Sequence, residues 1–114
     1  MKVPVIAVLL FGFWLPAFAH AILLHATPGL RETVNGPDVA VKLQFNVRID
    51  ARRSQLLLLP PQGEQRVLYI HDGSPPDSLQ AEAKGLPGGN YILRWQVLAS
   101  DGHISRGEVP FQVH

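Results

Sequence analysis

The sequence predicts an all-β domain, an antiparallel sandwich or a small barrel. Two long stretches alternate apolar and polar residues with a period of two, at 39–47 and 90–98. Clusters of turn-forming residues separate them, at Asn35-Gly36-Pro37, Asp72-Gly73-Ser74-Pro75-Pro76 and Leu86-Pro87-Gly88-Gly89-Asn90. No stretch shows helical periodicity of useful length, and no segment repeats.

The first element is a leader. Lys2 is followed by an apolar run, then Ala17-Phe18-Ala19, then His20. That order is the charged, apolar and A-x-A pattern of a secretory signal peptide. Residues 1–19 are therefore expected to be removed, and the protein to be exported to the periplasm. The 17 residues from Val3 to Ala19 contain Pro4 and Pro16. About 20 apolar residues are needed to cross a bilayer, so the leader is too short for a membrane anchor. No later stretch could span either.

The remaining 95 residues, 20–114 (114 less the 19 of the leader), make one small domain. Within it, residues 39–47 place Val39, Val41, Leu43, Phe45 and Val47 on one face. Residues 55–59 and 65–70 read as shorter strands around Pro60-Pro61-Gln62-Gly63. Leu56-Leu57-Leu58-Leu59 suits a buried strand. Arg52-Arg53 is a solvated turn. Residues 79–84 form a weaker strand. Residues 90–98 turn Tyr91, Leu93, Trp95 and Val97 to one side. Val109, Phe111 and Val113 repeat the alternation at the end. Pro110 faces outward there, which suggests an edge strand.

Composition narrows the chemistry. Without Lys2 the domain carries nine basic and nine acidic residues. No basic patch argues for nucleic acid or an anionic surface. There is no cysteine, and the single methionine is Met1, inside the leader. A metal site must then use nitrogen and oxygen, which suit Cu(II), Zn or Ni and disfavour Cu(I). No nucleophile elbow, glycine-rich phosphate loop or suitably spaced carboxylate pair is present, so no enzyme activity is expected.

Five histidines are the candidates: His20, His25, His71, His103 and His114. His114 reads as a solvated terminus and His71 as a surface turn residue. His25 sits on the opposite parity from His20 along one strand and points away, unless a bulge intervenes. Asp101-Gly102-His103 has two readings. On an extended backbone, Asp101 and His103 would face one side and offer an oxygen and a nitrogen to one point. Alternatively, Asp-Gly opens a hairpin turn, the reading the motif favours by itself. His20 strengthens the metal reading. Once the leader is cut, its α-amine and imidazole can both bind one ion. The ordinary amine pKa, ~7.7–8.0, makes that proton easy to displace. Three nitrogens and one oxygen suit tetragonal Cu(II).

Several segments together resemble the CopC family of periplasmic copper-resistance proteins. They are His20-Ala21 at the mature start, Thr27-Pro28, Leu43-Gln44-Phe45, Gly89-Asn90-Tyr91-Ile92-Leu93-Arg94-Trp95 and Ser100-Asp101-Gly102-His103. Their order and spacing cover nearly the whole mature chain. The resemblance implies a small Greek-key β-barrel or sandwich, immunoglobulin-like, of about seven strands. It also implies one Cu(II) per mature chain, held by His20, Asp101 and His103. Some members carry a methionine-rich loop for Cu(I); here that site is expected to be absent. Many members have F-S-E at the end of an early strand, where the acid supports the metal site. This chain has Phe45-Asn46-Val47. A third mature-position histidine found in some members is replaced by Ile22. Residues 49–86 match weakly, and no role is transferred to them. The implied function is that of a monomeric copper carrier or buffer, with an inner-membrane copper transport protein as candidate partner. Two other classes share part of the evidence. A histidine-brace copper oxidase acting on polysaccharide also needs an N-terminal histidine, but Asp101 would fill one of its coordination positions. A metal-free interaction module explains the fold alone.

Overall fold

The computed structural model describes residues 21–114; the expected leader and His20 lie outside the described residues. Eight strands form two sheets. They are β1 (Leu23–Thr27), β2 (Thr33–Val34), β3 (Val39–Phe45), β4 (Gln55–Leu59), β5 (Arg66–Leu68), β6 (Ser78–Ala83), β7 (Gly89–Leu98) and β8 (Ile104–Val113). One sheet has the order β1-β3-β6 and the other β2-β8-β7-β4-β5. No ladder joins the two sheets among the described residues, so the architecture is a sandwich and not a closed barrel. The pairs β1–β3, β3–β6 and β4–β7 are each made by strands not adjacent in sequence. The chain thus passes repeatedly from one sheet to the other.

The alternation read in the sequence is what closes the sandwich. Val39, Val41, Leu43 and Phe45 of β3 are buried, and so are Tyr91, Leu93, Trp95 and Val97 of β7. They meet across the sheets: Phe45 and Trp95 pack edge to face, with ring centroids 5.1 Å apart. In β4, Leu56 and Leu58 are fully buried while Leu57 and Leu59 are half-buried. That is why four consecutive leucines suit one strand here. Tyr91 keeps its hydroxyl satisfied by donating to Pro87 O at 2.7 Å. Leu43 is completely buried. Replacing it with alanine should destabilise the domain by about 2–5 kcal/mol, through lost transfer energy and the cavity left behind. Denaturant unfolding should show this as a lower midpoint with an unchanged slope.

Two sequence expectations change. The strand carrying Pro110 is not an outer edge along its whole length, because β2 pairs in parallel with Gln112 and Val113. A two-residue strand has no periodicity to read, so the sequence could not reveal it. Gln112 N and His114 N donate to Glu32 O and Val34 O on that side. Pro110 occupies the same side of the strand, where its missing N–H breaks no bond to β7. Its carbonyl accepts from Arg31 N at 2.6 Å. The second change is the count of eight strands instead of about seven. The Arg52-Arg53 pair does lie in an exposed 3-10 turn, Ala51–Arg53, with Arg53 Nη1 3.0 Å from Asp50 Oδ2.

Candidate metal centre

β7 and β8 form a ten-rung ladder from Gly89↔Val113 to Leu98↔Ile104. The connection between them carries Asp101 and His103. Gly102 N donates to Ala99 O at 2.9 Å, and Ala99 N donates to His103 O at 2.8 Å. Gly102 has φ of +93°, in the left-handed region. This is a three-residue hairpin loop, a tight turn followed by a glycine bulge. Only glycine adopts that φ without strain, so Asp-Gly is set by the turn.

The turn reading of Asp101-Gly102-His103 is therefore correct, and the extended one is not. The turn nonetheless brings the two side chains together. Asp101 Oδ1 accepts from His103 N at 3.0 Å and lies 3.3 Å from His103 Nδ1. Two donors on adjacent corners of a tetragonal ion, each at about 2.0 Å, stand about 2.8 Å apart. The pair is close to that spacing. Both side chains are about two-fifths exposed, though His103 Nδ1 itself is closed off from solvent. The Asp101 carboxyl is held below the usual carboxylate range, chiefly because the His103 backbone N–H donates to it. The same bond favours its ionised form.

Among the described residues, no group of three His, Asp or Glu side chains could hold a metal. Asp101 and His103 by themselves are two donors, and any site built on them needs further donors from elsewhere. The fold brings the start of the described chain to this end of the sandwich. Ala21 is buried, and its N–H donates to Ser105 Oγ at 3.1 Å, two residues beyond His103. Ile22 N donates to Asn46 Oδ1 at 2.7 Å, and Asn46 N donates back to Ile22 O at 3.1 Å. The loop after β3 is docked on the hairpin turn in its turn. Ser100 N donates to Arg48 O at 3.1 Å, and Ile49 bridges to Ala99.

The other histidines lie apart from the pair. His25 is exposed on β1 beside Gln44. A bulge between Leu23 and His25 does interrupt the parity on which the sequence placed it. His25 is nonetheless four residues along from Ala21, a span of about 13 Å in strand geometry. His71 is exposed after β5, with its N–H on Gln80 O and its ring 6.3 Å from that of Tyr69. His114 is an exposed terminal residue whose N–H donates to Val34 O.

Sequence reasoning missed Ser105 and Asn46. For Ser105 a signal existed. It shares the inward parity of Val109, Phe111 and Val113, and a polar side chain on a core-facing register needs a partner. For Asn46 there was none, because it lies just beyond the alternating strand, where any polar residue is unremarkable.

Comparison with known proteins agrees with this fold. Residues 23–114 match the family model described as CopC domain. The crystal structure of CopC from Methylosinus trichosporium OB3b superposes with a TM-score of 0.72. It is 29% identical and covers 82% of this chain and 93% of that one. PcoC, a methionine-rich copper resistance protein from Escherichia coli, shares the fold at a TM-score of 0.70 and 24% identity, over 84% of this chain and 100% of that one. A copper transport protein of Bacillus subtilis, CutJ, is 25% identical over 95% of this chain, which spans only 21% of that protein's length. Protein YobA of Escherichia coli is 27% identical over 84% of this chain and 80% of its own. Among the described residues, no helix is long and apolar enough to cross a membrane. With the family model matching residues 23–114 on a two-sheet sandwich, the chain belongs to the CopC domain family.

Proposed function

We propose that this protein is an exported Cu(II) carrier or buffer. The mature chain begins at His20 and binds one ion through the His20 amine and imidazole, Asp101 and His103. The observation that carries the reading is the Asp101–His103 pair, 3.3 Å apart, two residues from the hydroxyl that holds Ala21 N. Family membership and the name of the Bacillus copper transport protein support copper as the cargo. The absence of cysteine, and of methionine beyond Met1, supports Cu(II) over Cu(I). The protein would work in the periplasm as a monomer and pass its ion to an inner-membrane copper transporter. Asp101 gives the ion an anionic ligand and fills a position that an oxidase would leave open, which favours storage over turnover.

The test is a Cu(II) titration of the mature protein by calorimetry, with mass spectrometry of its N-terminus. One ion per chain is expected, on a chain starting at His20. At a free-ion concentration a hundred times Kd, binding should raise stability by about 2.7 kcal/mol. An unchanged melting temperature would instead favour a metal-free module. His103→Ala should weaken binding by more than the tenfold to hundredfold typical of an outer partner. Asp101→Asn keeps an oxygen to accept from His103 N but loses the charge, so affinity should fall while the copper-free melting temperature holds.

The pH dependence follows from the same set. Asp101 has a lowered carboxyl pKa, so it remains ionised as pH falls through the range where nitrogen donors protonate. Copper should therefore be released with a midpoint set by imidazole and amine, near or below pH ~6.5, and not near pH ~4 where ordinary carboxylates titrate. A release midpoint near pH 4 by visible absorption would show that nitrogen donors do not control the site.

A further inference from the structure

We propose that Ser105 and Asn46 are positioning residues that seat the N-terminal segment so that residue 20 meets Asp101 and His103. The inference rests on the reading of His20 as a ligand and names what holds it there. A chain end is ordinarily the least ordered part of a domain unless it is tied down. Here the first two described backbone N–H groups are each taken by a side chain, one from β8 and one from the residue after β3. Ser105, on β8, accepts from Ala21 N at 3.1 Å across 84 positions of sequence. Asn46, directly after β3, accepts from Ile22 N at 2.7 Å and returns a bond from its own N–H to Ile22 O at 3.1 Å. Both contacts precede the first rung of the β1–β3 ladder, Leu23↔Phe45. They therefore extend order beyond the strand toward residue 20.

The two clamps also share a frame with the metal pair. Ser105, on β8, lies two residues beyond His103 of the hairpin loop and pairs with Val97. Asn46 begins the loop whose Arg48 O accepts from Ser100 N, next to Asp101. An amine on a loose tether must be ordered when the ion binds, and a clamped one has been ordered by folding. That difference appears as affinity without any added ligand. Holding ligands by outer contacts typically changes metal affinity tenfold to hundredfold.

The experiment uses mature protein with its native start at His20, and Cu(II) alone as probe. Ser105→Ala and Asn46→Ala should each weaken Cu(II) binding about tenfold to hundredfold. Ser105→Thr and Asn46→Asp, which keep the accepting oxygen, should restore affinity to within about threefold. Copper-free melting of every variant checks that it is folded; should one alanine variant be unfolded, the other carries the test. The decisive arm repeats the alanine changes in a chain with one glycine added before His20. There the amine is already displaced and only the imidazole is left to position, so the alanine changes should cost clearly less than in the native chain, a coupling read directly from the double-mutant cycle. Equal losses in both backgrounds would mean a purely structural role and overturn the proposal. Wild-type affinity in both alanine variants would overturn it too, while a weakened glycine-extended chain would leave His20 standing as a ligand. If the glycine-extended chain binds as tightly as the native one, the ligand reading fails and the clamps have nothing to position.

Discussion

A chain carrying one extra glycine ahead of His20 should bind Cu(II) at least about a hundredfold more weakly than the native mature protein, beyond the usual effect of losing an outer contact. The reason is covalent. In the native chain the amine and the imidazole belong to one residue and close a small ring on one ion. The added glycine converts the nitrogen of His20 into an amide and moves the free amine one residue away. The described part of the chain cannot supply a substitute, since no three His, Asp or Glu side chains cluster there. Asp101, His103 and the His20 imidazole would remain, without the amine that closes the ring. The same logic covers the unprocessed precursor, in which Ala19 acylates His20. On the proposed reading, processing would create the site, and the copper-binding form would exist only after export. Titration of the two chains side by side, with electron paramagnetic resonance to count coupled nitrogens, separates this from a general loss of structure. Equal affinity, or an unchanged nitrogen count, would remove His20 from the site.

How much of this was legible in the sequence depends on the range of the interaction. The strands β3, β7 and β8 could be read from alternation and β4 from a short apolar run beside a turn, all local signals, and burial of Leu43, Leu56, Leu93 and Phe111 accords with them. The two-residue β2 could not, because its pairing with Gln112 and Val113 depends on strand contacts nearly eighty positions away. The metal pair is an intermediate case. The residues Asp101 and His103 were identified, and the turn was recognised from Asp-Gly. What the sequence left open was whether a turn would part them or join them. The answer lies in a backbone bond from His103 to the Asp101 carboxylate, which closes the turn and sets the spacing. The holding of Ala21 by Ser105 was out of reach, since no local pattern links positions 84 apart. Asp101, His103 and Ser105 all belong to one hairpin, so its register places the proposed metal donors and the contact on Ala21 together.

Gly107→Ala should destabilise the domain by about 3 kcal/mol, at the upper end of the usual cost of overpacking a core. Nothing in the sequence marks this glycine: it lies mid-strand, forms no turn and has no unusual φ. Its importance comes from its ladder partner, Trp95. A Cβ at position 107 would fall 2.6 Å from Trp95 Cε2 and 2.9 Å from Nε1, inside the closest approach real side chains show. The indole cannot retreat freely. It is buried to 6% exposure, and Phe45 of the other sheet packs against it edge to face. Rigid rings in a close-packed interior shift only at the expense of their neighbours. For a domain of this size the loss corresponds to a melting temperature lower by about 10–20 °C. A second change isolates the cause. Trp95→Phe shortens the ring system and also removes an indole N–H that has no hydrogen-bond partner among the described residues. Gly107→Ala should therefore cost less in the Trp95→Phe background than in the native one, and the two changes should be non-additive by more than about 0.5 kcal/mol. Additive losses would show that the new methyl meets something other than the indole. A Gly107→Ala protein melting within a few degrees of the native one would show that the Trp95–Phe45 pair yields, and that the core at this end of the sandwich is looser than its packing implies.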